Sequence, residues 1–242
     1  MRNDDYLTLK PIGHIYCDVK SKFGVPRQSG LAPNLCGRIV FLPEWRDANS
    51  LKGIEDFTHL WLIWGFSEGF RSRKDNTSAV QSWSPTVRPP ILGGNERIGV
   101  FATRSPNRPN PLGLTVVKLQ NIEYDSKDGP VLTVSGIDMM NGTPIYDIKP
   151  YIPYADIQAD ASGGFTQSNS FTKLEVKISD RVQNVINDKL SSVQYDALIE
   201  ILTNDPRPQY QRNPNRIYGI SYAGLDINFK VNDTVLIVTD VD

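Results

Sequence analysis

The chain has few of the residue types that bind metal ions or form disulfides. Its 242 residues include only two cysteines, Cys17 and Cys36, and two histidines, His14 and His59. Their number and spacing exclude a disulfide framework and a C-x-x-C zinc site, so we expect no metal. The longest apolar run, Leu60–Phe66, is far shorter than the roughly 20 residues that a membrane helix needs. The first residues lack the apolar core of a secretory signal, so we expect a cytoplasmic protein without a membrane partner.

The net charge is close to zero, but the charged residues are unevenly placed. The chain carries 26 Lys and Arg against 27 Asp and Glu, and 39% of its residues are hydrophobic, which excludes general disorder. Residues 71–118 have a net charge of +6, whereas residues 119–242 have a net charge of −7. The basic stretch is rich in arginine, which suits bidentate contacts to phosphate or carboxylate. It is either a solvated loop or a binding surface for an anion such as a nucleic-acid backbone.

The first 153 residues consist mainly of short β-rich stretches separated by turn signals. Many short strands without long helices between them predict an antiparallel sandwich or barrel. Because Thr58–Phe66 is apolar without alternation, we expect a strand buried on both faces there. Asp47–Phe57 is expected to form a short helix. The predicted strands are Tyr6–Tyr16, Gly37–Leu42, Thr58–Phe66, Ile98–Thr103, Leu114–Tyr124, Val131–Ile137 and Ile145–Ile152.

The pattern changes after Pro153. Residues 158–170 are rich in Gly, Ser, Ala and Asn, which is typical of a linker or an exposed loop. A helix is expected to begin at Ser179 or Asp180, and a second covers Val193–Leu202. Three further strands are predicted. We therefore expect a domain at residues 1–153 and a smaller α+β domain at residues 154–242, whose strands are Arg216–Tyr222, Leu225–Val231 and Thr234–Val238.

Two familiar motifs occur without the context that they require. Gly65–Gly69 matches G-x-S-x-G, but no amphipathic helix follows it and no histidine comes after His59, which argues against a serine hydrolase. Gly93–Gly99 is rich in glycine but leads into a predicted strand, which argues against a dinucleotide-binding loop.

The central segment is braced by proline and glycine. Six of the 17 prolines lie between residues 71 and 118. Proline and glycine fix backbone shape, so the segment is expected to be a rigid loop that presents Arg88, Arg104, Arg108 and Asn110. From these residues alone, a preorganised binding surface and a rigid turn with solvated arginines both remain open.

The same segment resembles the TsaA-like (TrmO) family of tRNA N6-adenine methyltransferases. Matching stretches run in order from about residue 6 to about residue 212, and Arg104–Gly113 is the most specific. The resemblance implies an antiparallel β-barrel methyltransferase domain followed by a smaller domain. It also implies a homodimer with S-adenosylmethionine near the subunit interface, and methylation of N6 of N6-threonylcarbamoyladenosine next to the tRNA anticodon. The other matching stretches are Phe23–Gly30, Phe57–Trp61, Ser84–Asn95, Asp138–Pro144, Asp147–Tyr151 and Asp205–Tyr210.

If the resemblance holds, individual residues have the following expected roles. Asp138 is expected to act either as a general base or as an anchor for the adenosine ribose. Arg88 and Arg108 are expected to bind tRNA phosphates together with Asn110 and the basic residues 71–74. Arg207 is expected to pair with the threonyl carboxylate beside Asp205. Tyr210 is expected to stack on a splayed base and to complete the catalytic site with Asp138. The implied cofactor contacts are Pro26, Arg27, Gln28, Ser67, Glu68, Arg104, Leu114, Asp138, Met139, Met140 and Asn141.

Three alternatives stay open. Residues 205–210 could be a simple helix stop, since Pro206 and Pro208 end helices. The chain could also be an RNA-binding β-module without activity, or a methyltransferase that acts on a small molecule.

Overall fold

A closed six-stranded barrel forms the first part of the molecule. The computed structural model describes residues 7–66, 83–169, 171–207 and 213–242. Neighbouring barrel strands are all antiparallel and follow the order β1-β2-β7-β6-β3-β8. Strands β4 and β5 pair with each other outside the barrel. The bounds are β1 (Gly13–Cys17), β2 (Cys36–Phe41), β3 (His59–Gly65), β4 (Thr86–Val87), β5 (Ile98–Gly99), β6 (Leu112–Glu123), β7 (Val131–Ser135) and β8 (Thr143–Pro150).

Alternating side chains fill the barrel interior. In a strand, successive side chains point to opposite faces, so every second residue of each strand can be buried. Strand β3 shows this pattern, with Leu60, Leu62 and Trp64 buried and the residues between them half-buried. The expectation of burial on both faces of this strand was therefore wrong, because a barrel wall leaves one face toward the outside.

The second part combines a sheet with two longer helices. The sheet has the order β10-β11-β12-β9, and only the β9–β12 pair is parallel. Two short helices, α1 (Pro153–Asp156) and α2 (Phe165–Ser168), lie in the connection from the barrel. The longer helices pack on the sheet. The bounds are β9 (Glu175–Ile178), α3 (Asp180–Lys189), α4 (Ser192–Thr203), β10 (Tyr218–Tyr222), β11 (Leu225–Asn232) and β12 (Val235–Val241).

The two parts share one hydrophobic core. Buried side chains of the barrel and of the second sheet belong to a continuous cluster. Polar contacts also join the parts: Asn34 donates to both carboxylate oxygens of Glu200, at 2.9 and 2.7 Å. The mainly β fold with an N-terminal barrel and a smaller α+β part is confirmed. The domain boundary between residues 153 and 154 stays a prediction.

Several local predictions were wrong. The helix expected at Asp47–Phe57 is instead two 3₁₀ turns, Ala48–Leu51 and Ile54–Asp56, separated by Gly53 with a φ of 88°. The strand expected at Ile98–Thr103 stops at Gly99, because a 3₁₀ turn follows over Val100–Ala102. Strand β9 was not predicted, since only four residues form it. Within the described ranges, no helix has the length and apolarity needed to cross a membrane.

Candidate functional site

Most of the predicted site residues lie in connections at one end of the barrel. Strands β1, β3 and β7 finish at this end, and their antiparallel partners β2, β6 and β8 begin there. Three connections therefore emerge side by side: residues 18–35, residues 66–111 and residues 136–142. Pro26–Gln28, Arg104 and Asp138 lie in these three connections. Chain segments more than 30 residues apart are thus placed next to one another by barrel closure.

Gln28, Arg104 and Asp138 form a polar cluster at this end, which we call the triad cluster. Arg104 donates from Nη1 to Oε1 of Gln28 at 2.6 Å, and its guanidinium acts electrostatically on Asp138. The backbone amide of Ser29 donates to the Asp138 carboxylate. Burial raises the pKa of Asp138, while the Thr115 hydroxyl, the backbone amides and the charge of Arg104 oppose that rise. The cluster therefore combines a strong acceptor with a fixed positive charge.

A buried hydrogen-bond chain reaches Asp138 from the barrel interior. The indole Nε1–H of Trp64 donates to Oγ1 of Thr115 at 2.9 Å. The Thr115 hydroxyl donates to Oδ1 of Asp138 at 2.7 Å. Trp64 and Thr115 are 6% and 2% exposed, so neither group can exchange this partner for water. The sequence analysis missed both residues, although a hydroxyl at an inward position of β6, between Gly113 and Val117, was the available signal.

The turn that follows Asp138 is fastened to the end of β1. The amide of Cys17 donates to Oδ1 of Asn141 at 3.0 Å, and the amide of Asn141 donates to the carbonyl of Val19 at 2.8 Å. Met139 is buried in the core, and its carbonyl accepts from the Cys17 thiol. Burial raises the pKa of Cys17 to about 11, so this thiol stays protonated at neutral pH. The Met139 side chain is therefore not available to a cofactor.

The stretch of residues 100–113, which we call the ribbon, is braced by hydrogen bonds within itself. The guanidinium of Arg108 donates to the backbone carbonyls of Val100, Thr103 and Ser105. Four residues earlier, Arg104 is exposed and reaches out to Gln28. Arg108 was predicted to contact tRNA phosphates, but in this conformation it shapes the ribbon. Exposed positions nearby include Arg88, Asn110 and Leu114.

Arg27 faces the second part of the molecule. Its guanidinium donates to the carbonyls of Asn204, Asp205 and Arg207 at 2.9, 2.6 and 3.3 Å. It also lies over the ring of Phe171, 4.3 Å from the centroid. Arg27 and Gln28 are adjacent, so this contact places the turn after α4 beside the triad cluster. The cofactor role of Arg27 stays a prediction.

Asp205 and Arg207 are brought together as a buried pair. Nε and Nη2 of Arg207 donate to the two carboxylate oxygens of Asp205 at 2.8 and 2.9 Å. These hydrogen bonds raise the pKa of Arg207, so the guanidinium is permanently charged. Asp205 has a φ of 52°, which marks the sharp turn after α4. The simple helix stop and the substrate site are both compatible with this geometry.

A cleft of about 460 Å³ separates this pair from the central segment. Pro90 and Ile91 line one side, and Phe171, Asp205 and Arg207 line the other. A second cleft, of about 520 Å³, is lined by Asn34 together with residues of β9, α3 and α4. Neither lining includes a residue of the triad cluster. Three predicted site residues, Ser67, Glu68 and Tyr210, lie outside the described ranges, as do residues 71–74.

Comparisons with known proteins cover almost the whole chain. The model of the tRNA-methyltransferase O N-terminal domain matches residues 14–157, and that of the TrmO C-terminal domain matches residues 172–242. The tRNA (adenine(37)-N6)-methyltransferase of Escherichia coli (strain K12) is 35% identical over 226 residues, 92% of each chain. A protein of Pyrococcus abyssi named "Probable S-adenosyl-L-methionine-binding protein" is 33% identical over 160 residues, 66% of this chain and 76% of that one.

A solved structure gives the same result at the level of the fold. The crystal structure of TrmO from Pseudomonas aeruginosa superposes with a TM-score of 0.76, covers 98% of both chains and is 31% identical in sequence. Both family models match in order, and together they span the barrel and the second sheet. The chain belongs to the TrmO family of tRNA methyltransferases.

Proposed function

We propose that this chain transfers a methyl group from S-adenosylmethionine to N6 of N6-threonylcarbamoyladenosine next to the tRNA anticodon. Its family and its relatives make it an S-adenosylmethionine-dependent tRNA adenine-N6 methyltransferase. The observation that carries the site assignment is the triad cluster. Gln28, Arg104 and Asp138 come from three separate barrel connections and meet at one end.

The donor set of the triad cluster fits the cofactor. S-adenosylmethionine carries ribose hydroxyls, which need an acceptor, and a carboxylate, which needs a cation. Asp138 is a carboxylate held by donors, and Arg104 is a guanidinium on the exposed side. We assign the ribose to Asp138 and the carboxylate to Arg104. Pro26, Leu114 and the backbone of Met139, Met140 and Asn141 complete the proposed contacts. When bound, the cofactor supplies an electrophilic methyl group on a sulfonium.

The contribution of the chain to the reaction is mainly positioning. A displacement at carbon requires donor and acceptor to be in line and near contact, and such alignment can supply about 7–11 kcal/mol of the barrier. Asp138 is better suited to anchor the ribose than to act as the base. Its Oδ1 already accepts from Thr115, whose own acceptor side is used by Trp64. In this proposal the N6 proton leaves to water after transfer, and Asp138 remains a carboxylate.

The RNA side of the site extends from the central segment to the turn after α4. Exposed Arg88 is our candidate for phosphate contact, together with exposed Asn110 of the ribbon. Arg207 is our candidate for the threonyl carboxylate, which would share its guanidinium with Asp205. Tyr210 is proposed to stack on the base. The cleft between the central segment and this turn supports the assignment, because two predicted substrate residues, Asp205 and Arg207, line one of its sides.

We also propose that the active form is a homodimer. Phe101 and Leu114 are 75% and 57% exposed, and they lie close in sequence to Arg104 and Thr115, respectively. A second chain would cover these apolar side chains. Sedimentation that shows a monomer at working concentrations would contradict the dimer. Because its substrate is tRNA, we propose the cytoplasm as its location.

The direct test uses labelled S-adenosylmethionine and two tRNA preparations that differ only in threonylcarbamoyladenosine. We expect label in the tRNA that carries the modified base, identified by nucleoside mass spectrometry, and none in the other. Asp138→Asn, with unchanged folding, should reduce transfer by weakening cofactor binding. Binding of tRNA without cofactor binding would favour an RNA-binding module. Transfer that does not depend on tRNA would favour a small-molecule methyltransferase.

A further inference from the structure

Asp138 is the one member of the triad cluster that is tied to the barrel interior through two successive side chains. Trp64 lies on β3, Thr115 lies on the neighbouring strand β6, and both are nearly inaccessible to solvent. The chain of donors runs in one direction, from the indole to the hydroxyl to the carboxylate. An indole N–H can only donate, so it fixes the acceptor side of the Thr115 hydroxyl. The hydroxyl hydrogen is then directed at Oδ1 of Asp138.

This arrangement does more than satisfy a buried tryptophan. If Thr115 bonded only to Trp64, the direction of its hydroxyl hydrogen would not be fixed. Here the hydroxyl donates to the half-buried Asp138 carboxylate, with 2.7 Å between Oγ1 of Thr115 and Oδ1 of Asp138. Hydrogen bonds to an ionised group are stronger than those between neutral groups, and they favour the charged form. The hydrogen-bond chain Trp64–Thr115–Asp138, which we call the relay, therefore opposes the rise in the pKa of Asp138 that burial causes.

The relay also has a rigid base. The ring of Trp64 fills the space that a side chain at residue 113 would need, since a Cβ on Gly113 would lie 2.1 Å from Cε2 of Trp64. The ring also lies 4.4 Å from that of Phe66, between centroids. Because β3 and β6 pair along their lengths, Trp64 and Thr115 cannot move apart without breaking the barrel wall. The position of Oγ1 is thus set by the scaffold rather than by the ligand.

From this geometry we infer that Thr115, oriented by Trp64, is a positioning residue that holds Asp138 as an aligned, ionised acceptor for the cofactor ribose. This inference rests on the proposed function, since it gives Asp138 a cofactor to bind. It assigns no chemical step to Thr115 itself. Groups that face Asp138 besides Thr115 are the guanidinium of Arg104 and the backbone amides of Ser29 and Asp138.

The test compares Thr115→Val, which keeps the shape and removes the hydroxyl, with Thr115→Ser, which keeps the hydroxyl. Calorimetry with S-adenosylmethionine should show about a tenfold loss of affinity for Thr115→Val at pH 7, the scale of a hydrogen bond to a charged group. Thr115→Ser should stay close to the unaltered protein. Ser135→Ala is the matched control, since Ser135 is a buried hydroxyl that accepts from Gln120 instead.

The pH profile separates positioning from a general structural effect. Cofactor affinity should fall as the pH drops through the pKa of Asp138, because only the carboxylate accepts from the ribose. Thr115 lowers that pKa, so Thr115→Val should move the fall to higher pH, and Ser135→Ala should not. An unchanged profile with reduced affinity would overturn the inference.

A double-mutant cycle gives the decisive result. In an Asp138→Asn background, Thr115→Val should cause little further loss of affinity, because its effect acts through the carboxylate. Additive losses would overturn the inference. If Thr115→Val fails to fold, Trp64→Phe replaces it in the double-mutant cycle. This change removes the hydrogen bond from the indole to Thr115 but keeps the Thr115 hydroxyl. If the unaltered protein binds no cofactor, the proposed function fails. If it binds and Thr115→Val binds equally well, only the relay fails.

Discussion

Arg104 and Arg108 lie four residues apart in the same ribbon and have different tasks. Arg104 is exposed and contacts Gln28, whereas Arg108 donates to three backbone carbonyls of its own loop. Arg104→Ala should change the free energy of unfolding by less than about 0.5 kcal/mol, as surface substitutions do, and should weaken cofactor binding. Arg108→Ala should cost roughly 1–3 kcal/mol, because three partly buried carbonyls lose their donor.

Denaturant unfolding and calorimetry on the two variants check this division. Loss of affinity in Arg104→Ala at constant stability supports its place in the triad cluster. Unchanged affinity in Arg104→Ala would show that Arg104 is not part of the site. Unchanged stability in Arg108→Ala would show that Arg108 does not stabilise its loop, and it would then again be a candidate for phosphate binding.

Gly113 shows why a glycine is needed inside the most specific motif. A Cβ at this position would overlap the ring of Trp64, with atoms 2.1–2.5 Å away. Overpacking of this kind costs typically about 1–3 kcal/mol, and the rigid barrel wall leaves little room for relief. We expect Gly113→Ala to lower the free energy of unfolding by at least that much. Gly99→Ala is the control, since nothing lies within 4 Å of a Cβ there, and it should be close to neutral.

Residue types in the motif could be read from the sequence, but their tasks could not. The prolines, glycines and arginines of the ribbon were predicted to form a rigid polar surface, and Arg104 fits that prediction. Arg108 and Gly113 instead stabilise the fold. Arg108 donates to backbone carbonyls of its own loop, and Gly113 leaves room for the ring of Trp64 on the neighbouring strand. Thr115 was missed because a hydroxyl at an inward position of an apolar strand signals a buried polar contact but does not reveal its partner, a carboxylate 23 residues later.

Strands and helices were predictable where local patterns decide them. The last three predicted strands are present, and the turns between them, at Ala223–Gly224 and near Asp233, show the positive φ that such hairpins need. Ile98–Thr103 failed because its β-rich composition does not reveal that residues 100–102 turn away from the β4 partner. The closing pair β1–β8 joins residues more than 120 positions apart, which no local pattern encodes.

A serine precedes each of the two longer helices as its N-cap residue, but the two serines make different capping contacts. Ser191, before α4, accepts from the amide of Gln194, and Gln194 returns a bond to the Ser191 amide, which forms a capping box. Ser179, before α3, makes no such side-chain bond. Ser191→Ala should therefore cost about 1 kcal/mol of stability, while Ser179→Ala should cost less than about 0.5 kcal/mol. Equal losses in denaturant unfolding would show that the box does not stabilise α4.

The joint between the barrel and the second part has a polar centre at Arg27. Its guanidinium donates to carbonyls of Asn204, Asp205 and Arg207, about 180 residues away in the sequence, and lies over Phe171. These carbonyls follow the end of α4, where helices leave their last carbonyls without internal partners. Arg27 therefore fixes the turn that carries the buried Asp205–Arg207 pair. The resemblance to the family gave it a cofactor contact, and the two roles make different predictions.

Arg27→Met keeps the length of the side chain and removes the hydrogen bonds and the charge. If Arg27 mainly joins the two parts, the variant should lose roughly 2 kcal/mol of stability, and the amides of residues 200–207 should exchange faster with solvent. Arg38→Met is the matched control, because the Arg38–Glu123 ion pair is half exposed and worth at most about 1 kcal/mol. Weaker cofactor binding with unchanged exchange would instead assign Arg27 to the cofactor. Loss of both would mean that docking of the second part and formation of the methyl-donor site are coupled through residues 27 and 28.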